Sequence, residues 1–335
     1  METLLAVEDL VVHFYTYRGV VKALDGINLV VNRGETVGLV GETGCGKSVT
    51  ARAIIRLIDN PGRIEGGRIL LEGLDLLSLP EPEMRKVRGR KISFIFQEPK
   101  KALDPTATVG AQMEEAVIMA TGSSQEKARE LSFQILGKVG LADAQRVLES
   151  YSFELSGGMA QRIMIGMAVS GHPQLVIADE PTSALDVSIQ AQILKLLQQL
   201  SADFGSSLLL ITHNLGIAAE NCDRIAVMYA GRIVEVGPVE AVFGAPAHPY
   251  TVGLLEALPG EDKEKLVPIP GMVPDLIFPP PGCRFSNRCS LQSGACRQDR
   301  PPALEVGEGH LVSCYSPFLN RSGGNPISGE APHGR

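Results

Sequence analysis

The residues Gly41-Glu42-Thr43-Gly44-Cys45-Gly46-Lys47-Ser48 fit the pattern G-x-x-x-x-G-K-S at every fixed position. An apolar run, Val37-Gly38-Leu39-Val40, precedes them and reads as a short buried strand. Val49, Ala53, Ile54, Leu57 and Ile58 follow at helical spacing, predicting a helix over 48–58. Glycine lets the backbone come close, so consecutive N–H groups can face phosphate oxygens, and a helix N-terminus adds partial positive charge. The cradle is expected to run through Gly41, Thr43, Gly44, Cys45, Gly46, Lys47, Ser48 and Val49. In it Lys47 would reach the terminal phosphates, and the Ser48 hydroxyl would hold a Mg²⁺. A glycine-rich turn that binds nothing leaves the strand, the spacing, the lysine and the serine unexplained. The expected ligand is a nucleoside triphosphate.

Other polar residues stand at the ends of strand-like runs. Leu175-Val176-Ile177-Ala178 is continuously apolar, as a parallel strand buried on both faces is, and it ends in Asp179-Glu180. One such carboxylate can hold Mg²⁺ through water while its neighbour orients an attacking water. Alone the pair could be an exposed strand end; beside a phosphate loop it completes a hydrolytic site. Ile92 to Phe96 delivers Gln97, and Leu208 to Thr212 delivers His213. A lone histidine is usually structural, but a whole set of polar residues at neighbouring strand ends is hard to explain that way. Leu155-Ser156-Gly157-Gly158-Met159 opens a helix expected over 159–169. Ser156 can cap it, and the glycine pair leaves its first amides uncovered, so it reads either as a capped helix or as a second anion site. Pro181-Thr182-Ser183-Ala184-Leu185-Asp186 then leads into a helix bearing Ile189, Ile193, Leu196, Leu197 and Leu200.

The elements that must position these residues are of mixed type. Residues 1–35 alternate as a small antiparallel sheet, with Phe14-Tyr15-Thr16-Tyr17 at its first turn. Those aromatics are either sheet packing or an adenine platform; Tyr17 is favoured for stacking, with Tyr15 and Phe14 as alternatives. Gly66 to Leu71 returns to strand, and residues 105–150 switch to helical periodicity as an inserted subdomain. With 335 residues, one large domain plus an appendage, or two domains, is expected. The net charge of −7 argues against a surface built to wrap nucleic acid. No run of 18 apolar residues appears, and the N-terminus lacks a secretory pattern, so a cytoplasmic location is expected.

The order Gly41–Ser48, Gln97, Leu155–Met159, Asp179-Glu180, Ser183–Asp186 and His213 resembles the ATP-binding subunit of ABC transporters. The resemblance covers residues 1 to about 245. It implies an α/β P-loop NTPase cassette, with a RecA-like core, an antiparallel β subdomain and a helical subdomain at about 100–170. It also implies a dimer that sandwiches ATP, the phosphate loop of one chain closed by Ser156, Gly157 and Gly158 of the other. Carried over by position, Ser48, Gln97 and Asp179 serve Mg²⁺, and Glu180 is the general base. His213 contacts the γ-phosphate, Lys47 stabilises charge on the β and γ oxygens, and Asp186 communicates across the dimer. Asn214 departs from the Asp often found after that histidine, and Asp104 from a commoner Asn.

Residues 44–50 and 155–162, with Gln97-Glu98-Pro99 and Ala102 to Pro105, look more narrowly like the oligopeptide/dipeptide importer ATPases, which include nickel-transport members. That implies a second ATPase as partner, a paralogue or a second copy, with two membrane permease subunits and, indirectly, an extracytoplasmic binding protein. It places the chain peripherally on the cytoplasmic face of the membrane, with no nucleic-acid partner. Within a C-terminal extension expected over 246–319, Cys283, Cys289, Cys296 and Cys314 give C-x5-C-x6-C-x17-C. Four soft thiolates can hold a [4Fe–4S] cluster or zinc, or stay unmetallated, and the spacing is looser than zinc sites usually show. The resembling importer ATPases carry a cluster here. Residues 320–335, rich in Gly, Pro and Ser, are expected to be disordered.

Overall fold

The structure is a computed structural model and describes residues 2–183, 185–258 and 268–317. The tail expected to be disordered, 320–335, lies outside the described residues. The strands of the first half are β1 (Thr3–Thr16), β2 (Gly19–Asn32), β3 (Thr36–Val40), β4 (Gly62–Leu71), β5 (Leu74–Asp75) and β6 (Ile92–Ile95). Those of the second half are β7 (Leu175–Asp179), β8 (Ser207–Thr212), β9 (Arg224–Tyr229), β10 (Arg232–Pro238), β11 (Ala303–Gly307) and β12 (His310–Ser313).

They form two sheets. One is antiparallel, in the order β2-β1-β4-β5; the other runs β11-β12-β10-β9-β3-β8-β7-β6, with β9, β3, β8, β7 and β6 mutually parallel. Every residue of β7 and β8 is buried, which is why both read as unbroken apolar runs. Their side chains alternate between two cores. Ile177, Leu209 and Ile211 face the antiparallel sheet and the helix Lys47–Ile54. Val176, Ala178, Leu208 and Leu210 face the helical block, against Val109, Met113, Leu136 and Ile163. The inserted helices thus cover one face of the parallel sheet and the small sheet the other.

Several boundaries differ from the sequence expectation. The helix after the phosphate loop stops at Ile54, because Arg56 turns the chain with a φ of 54° and donates to the carbonyls of Leu76 and Leu79. The Ser156-capped helix begins at Gly157, two residues earlier than expected, since Ser156 Oγ accepts from Met159 N–H at 3.2 Å. Strands β9 to β12 were not anticipated as such. The hairpin β11–β12 lies within the C-terminal region yet pairs antiparallel with β10, so the main sheet continues past residue 245.

A cluster of charges locks that region down. Asp25 Oδ2 on β2 accepts from Arg232 Nε at 2.9 Å and Nη2 at 2.7 Å, and from Arg284 Nη2 at 2.9 Å. Arg300 donates to the Asp25 and Gly26 carbonyls at 3.1 and 2.9 Å. The Arg284 side chain is 2% exposed, and burial pushes its guanidinium down to about 10, against the pull of Asp25. Removing the carboxylate leaves that charge buried and uncompensated. Asp25→Asn should therefore cost roughly 3 kcal/mol in chemical denaturation at neutral pH. Burial opposes ionisation of Asp25, but Arg232 and the neighbouring arginines hold its folded pKa below the ordinary value. Its contribution is complete above the ordinary carboxylate pKa and disappears as pH falls through the lower folded value, so the gap between wild type and variant should close on acidification.

Candidate functional site

The parallel strands end side by side, and their C-terminal ends carry the polar residues. The phosphate loop follows β3, the Glu180 carboxylate follows β7, His213 follows β8, and Gln97 lies two residues beyond β6. Two glycines make the loop's path possible. At Gly41, φ is 150°, and a Cβ would stand 2.1 Å from the Met228 carbonyl oxygen. At Gly46, φ is 111°, and a Cβ would meet Met228 and Leu24. The loop closes on itself through Lys47, whose buried Nζ donates to the carbonyls of Gly41 at 2.8 Å and Glu42 at 3.1 Å. Thr43 and Gly44 are exposed at its mouth, while the Cys45 side chain is buried beneath it. The Lys47–Ile54 helix, on which Ser48 and Val49 sit, starts directly from Gly46.

Ser48 Oγ donates to Asp179 Oδ1 at 2.9 Å, joining the loop to the end of β7. Asp179 is buried, and that burial, with the neighbouring Glu180 charge, holds its carboxyl above the usual range; the Ser48 hydrogen bond opposes the shift. A hydroxyl and a buried carboxylate touching each other are hard oxygen donors, which suits Mg²⁺. Glu180 is gripped from two sides: Gln97 Nε2 donates to Oε2 at 2.9 Å, and His213 Nδ1 lies 3.1 Å from Oε1. Its own backbone has a φ of 46°, uncommon for a side chain larger than glycine and held by a 2.9 Å hydrogen bond from its N–H to the Ile211 carbonyl. The arrangement fixes the carboxylate next in the chain to Asp179, which itself holds Ser48.

Other expected residues stand apart from this group. Ser156, Gly157 and Gly158 open their helix at an exposed end. Asp186 caps the helix Val187–Phe204, accepting from Ile189 N–H at 3.0 Å and Ser188 Oγ–H at 2.8 Å; these bonds, the Ser188 one foremost, hold its carboxyl below the ordinary range. Asn214 likewise caps the helix Leu215–Asn221, its Oδ1 accepting from Gly216 and Ile217 N–H. Asn caps as well as Asp, so that departure is neutral here. Asp104 closes an Asx turn on Thr106. Of the aromatics, Phe14 packs on the core, and Tyr15 donates to Glu65 at 2.9 Å beneath Arg63. The Tyr17 ring is 94% exposed, with Arg18 at its face.

The four late cysteines line one cavity, with free volume of about 10 Å³, together with His248, Phe285 and Ser286. Among the described residues no three His, Cys, Asp or Glu side chains are grouped to hold a single metal ion. Burial pushes the thiols of Cys283 and Cys289 up, and that of Cys314 to about 11. Sequence reasoning missed the contacts that Arg288 and Tyr250 make with the phosphate loop. Arg288 pairs with the phosphate-loop carboxylate of Glu42 at 2.9 and 3.1 Å, and Tyr250 Oη accepts from Glu42 N–H at 2.9 Å. The only signal was two arginines set between cysteines.

A phosphate loop, an adjoining carboxylate pair and a capping glutamine and histidine at the ends of parallel strands define a P-loop nucleotide hydrolase of the cassette class. Residues 24–183 match the family model described as ABC transporter, and residues 234–296 that described as oligopeptide/dipeptide transporter, C-terminal region. The chain is 46% identical over 94% of its length, and 95% of the relative's, to the probable peptide ABC transporter ATP-binding protein y4tR of Sinorhizobium fredii. It is 45% identical to the oligopeptide transport ATP-binding protein OppD of Bacillus subtilis, covering 93% of this chain and 88% of that one. The dimeric post-hydrolysis structure of the ATP-binding cassette MJ0796, bound to ADP and Pi, superimposes with a TM-score of 0.63 at 26% identity, over 70% of this chain and 99% of that chain. The chain belongs to the family of ATP-binding subunits of ABC transporters. It is an ATPase subunit. No helix among the described residues is long and apolar enough to cross a membrane.

Gly41→Ala should abolish binding of a fluorescent ATP analogue while leaving the helical content intact, because the added Cβ collides with backbone at 2.1 Å and no side chain can move aside. Tight binding by that variant would show that the loop conformation is not the binding one.

Proposed function

We propose that this chain drives the uptake of di- and oligopeptides, working beneath two permease subunits on the cytoplasmic face of the membrane. The observation that carries the hydrolytic half is Glu180, held between Gln97 and His213 beside the Ser48–Asp179 pair. The peptide half rests on the relatives named for peptide transport and on the matched C-terminal region. The active unit is a pair of such chains, this one with a paralogue or a second copy. Residues 1–245 make up the cassette and 246–319 the transporter-specific extension.

In that pair, Lys47 leaves its two carbonyl partners to meet the β- and γ-phosphates, and the loop amides from Thr43 to Val49 bind the oxygens between them. Tyr17 stacks on the adenine. Ser48, Gln97 and Asp179 would hold Mg²⁺, directly or through water, and the ion would supply charge neutralisation on the phosphates. Glu180 accepts a proton from the attacking water, and His213 touches the γ-phosphate from the neighbouring strand end. Catalysis then comes from positioning and fixed charge. The uncovered amides at Ser156 to Gly158 meet the nucleotide bound to the partner, and Asp186 lies at that interface.

The four cysteines are assigned to a [4Fe–4S] cluster. A polynuclear cluster spreads its thiolates around a cage, so they need not converge on one point, although here the side chains must move apart to admit it. Two buried polar atoms of residues lining the cavity, His248 Nε2 and Ser286 Oγ, have no hydrogen-bond partner. His248 Nδ1 accepts from Tyr250 N–H at 3.0 Å, and burial lowers its pKa to about 3, so the neutral ring carries its proton on Nε2. That donor, and the serine hydroxyl, suit a sulfur-rich anionic occupant. Iron and acid-labile sulfide measured on anaerobically purified protein should both be present, and both should be lost in Cys289→Ser; iron-free protein would refute the assignment.

Glu180→Gln should bind ATP and hydrolyse it about 10²–10⁴-fold more slowly, accumulating an ATP-bound dimer on size exclusion. Wild-type turnover in that variant would remove Glu180 from the role of base. For the transported class, membrane vesicles reconstituted with the cognate permease should take up labelled peptide only when ATP is supplied to this chain's side.

A further inference from the structure

In the stretch Cys283-Arg284-Phe285-Ser286-Asn287-Arg288-Cys289, sulfur and guanidinium groups point different ways. Cys283 and Cys289 line the cysteine cavity, whereas Arg284 reaches Asp25 and the Ala230 carbonyl and Arg288 reaches the phosphate loop. The Arg288 side chain is 6% exposed and fully engaged. Its Nη1 and Nη2 take the two Glu42 oxygens at 2.9 and 3.1 Å in a fork, Nε donates to Pro270 O at 2.8 Å, and Nη2 to Ile269 O at 3.3 Å. The guanidinium also lies near the Tyr229 and Phe285 rings, 5.7 and 5.8 Å from their centroids. Glu42 is therefore held at its carboxylate by Arg288 and at its N–H by Tyr250, and its carbonyl in turn accepts from Lys47.

This placement answers a physical difficulty. Glu42 puts a carboxylate inside a loop whose task is to cradle a polyanion, and in a partly desolvated site a bare negative charge there repels phosphate. A bidentate guanidinium both cancels that charge and turns the side chain toward the C-terminal region. We infer that Arg288 is a positioning residue for the phosphate loop: acting through Glu42, it holds the loop receptive to triphosphate and makes nucleotide affinity depend on the cysteine-bearing segment. This rests on the reading of the loop as an ATP site.

The test is a double-mutant cycle on the Kd for ATP and on the KM and kcat of ATP hydrolysis, in the full-length protein. Arg288→Ala should weaken ATP binding on the order of 10- to 100-fold and raise KM in step, with a much smaller fall in kcat. Glu42→Gln should restore most of that loss when combined with Arg288→Ala, since it removes the uncompensated charge. Arg288→Lys keeps the charge and loses the fork, so it should fall between wild type and alanine. If Arg288→Ala does not fold, Arg288→Gln, which removes the charge but keeps most of the side chain's bulk, supplies the same comparison with and without Glu42→Gln. Affinity within twofold of wild type in the arginine variants, or a loss that Glu42→Gln does not relieve, overturns the inference. Failure of the wild-type chain to bind ATP would instead remove the reading on which it rests.

Discussion

Burial of the parallel strands on both faces is the constraint from which the site follows. Strands β7 and β8 have no exposed residue, and their polar residues Asp179, Ser207 and Thr212 all stand at their ends. Because β3, β8, β7 and β6 are neighbours in register, those ends meet. Ser48, Asp179, Glu180, Gln97 and His213 are brought together by this geometry although the chain separates the first from the last by more than half a cassette. The positive φ at Glu180 belongs to the same arrangement: in an extended strand its carboxylate would stand out on one face of the sheet, and the turn into the left-handed region places it between Gln97 and His213.

This is also why so much of the site could be read from the chain. A fully buried parallel strand leaves a distinctive apolar run, and whatever follows it is marked by contrast; Asp179-Glu180 after Leu175–Ala178 is the clearest instance. The phosphate loop is legible because its glycines answer to backbone geometry: at Gly41 the chain passes so close to Met228 that no side chain fits. Helix ends were read less well. The expected extension to Ile58 followed apolar spacing that persists beyond Ile54, whereas Arg56 breaks the helix with hydrogen bonds to a segment some twenty residues away. No local pattern encodes that.

The edge strands β11 and β12 were illegible for a related reason, whereas β9 carries an apolar run, Ile225 to Tyr229, that went unread. β10 and β12 pair across a long intervening segment, and the short hairpin at the sheet edge carries exposed residues on much of β11. Edge strands of that kind look like loops in a hydropathy pattern. Equally, the partners of Asp25 and Glu42 are arginines some 260 and 246 positions distant, respectively. Ion pairs formed at that range leave no spacing to recognise, so the sequence reading took the C-terminal region for an appendage.

The structure gives that region a different standing. A proline-rich segment holding four cysteines has too little apolar surface to fold around itself. Here its core is shared: Phe285 and Tyr250 pack with Tyr229, Val227 and Val40 of the cassette in one cluster, and Glu235 of β10 is buried against His310 of β12 while accepting the amides of Ala247 and His248. Apolar burial, a sheet edge and three arginines already tie it down. A group bound among the cysteines would therefore not be the sole source of order there, and the segment between them touches the phosphate loop directly through Arg288 and Glu42.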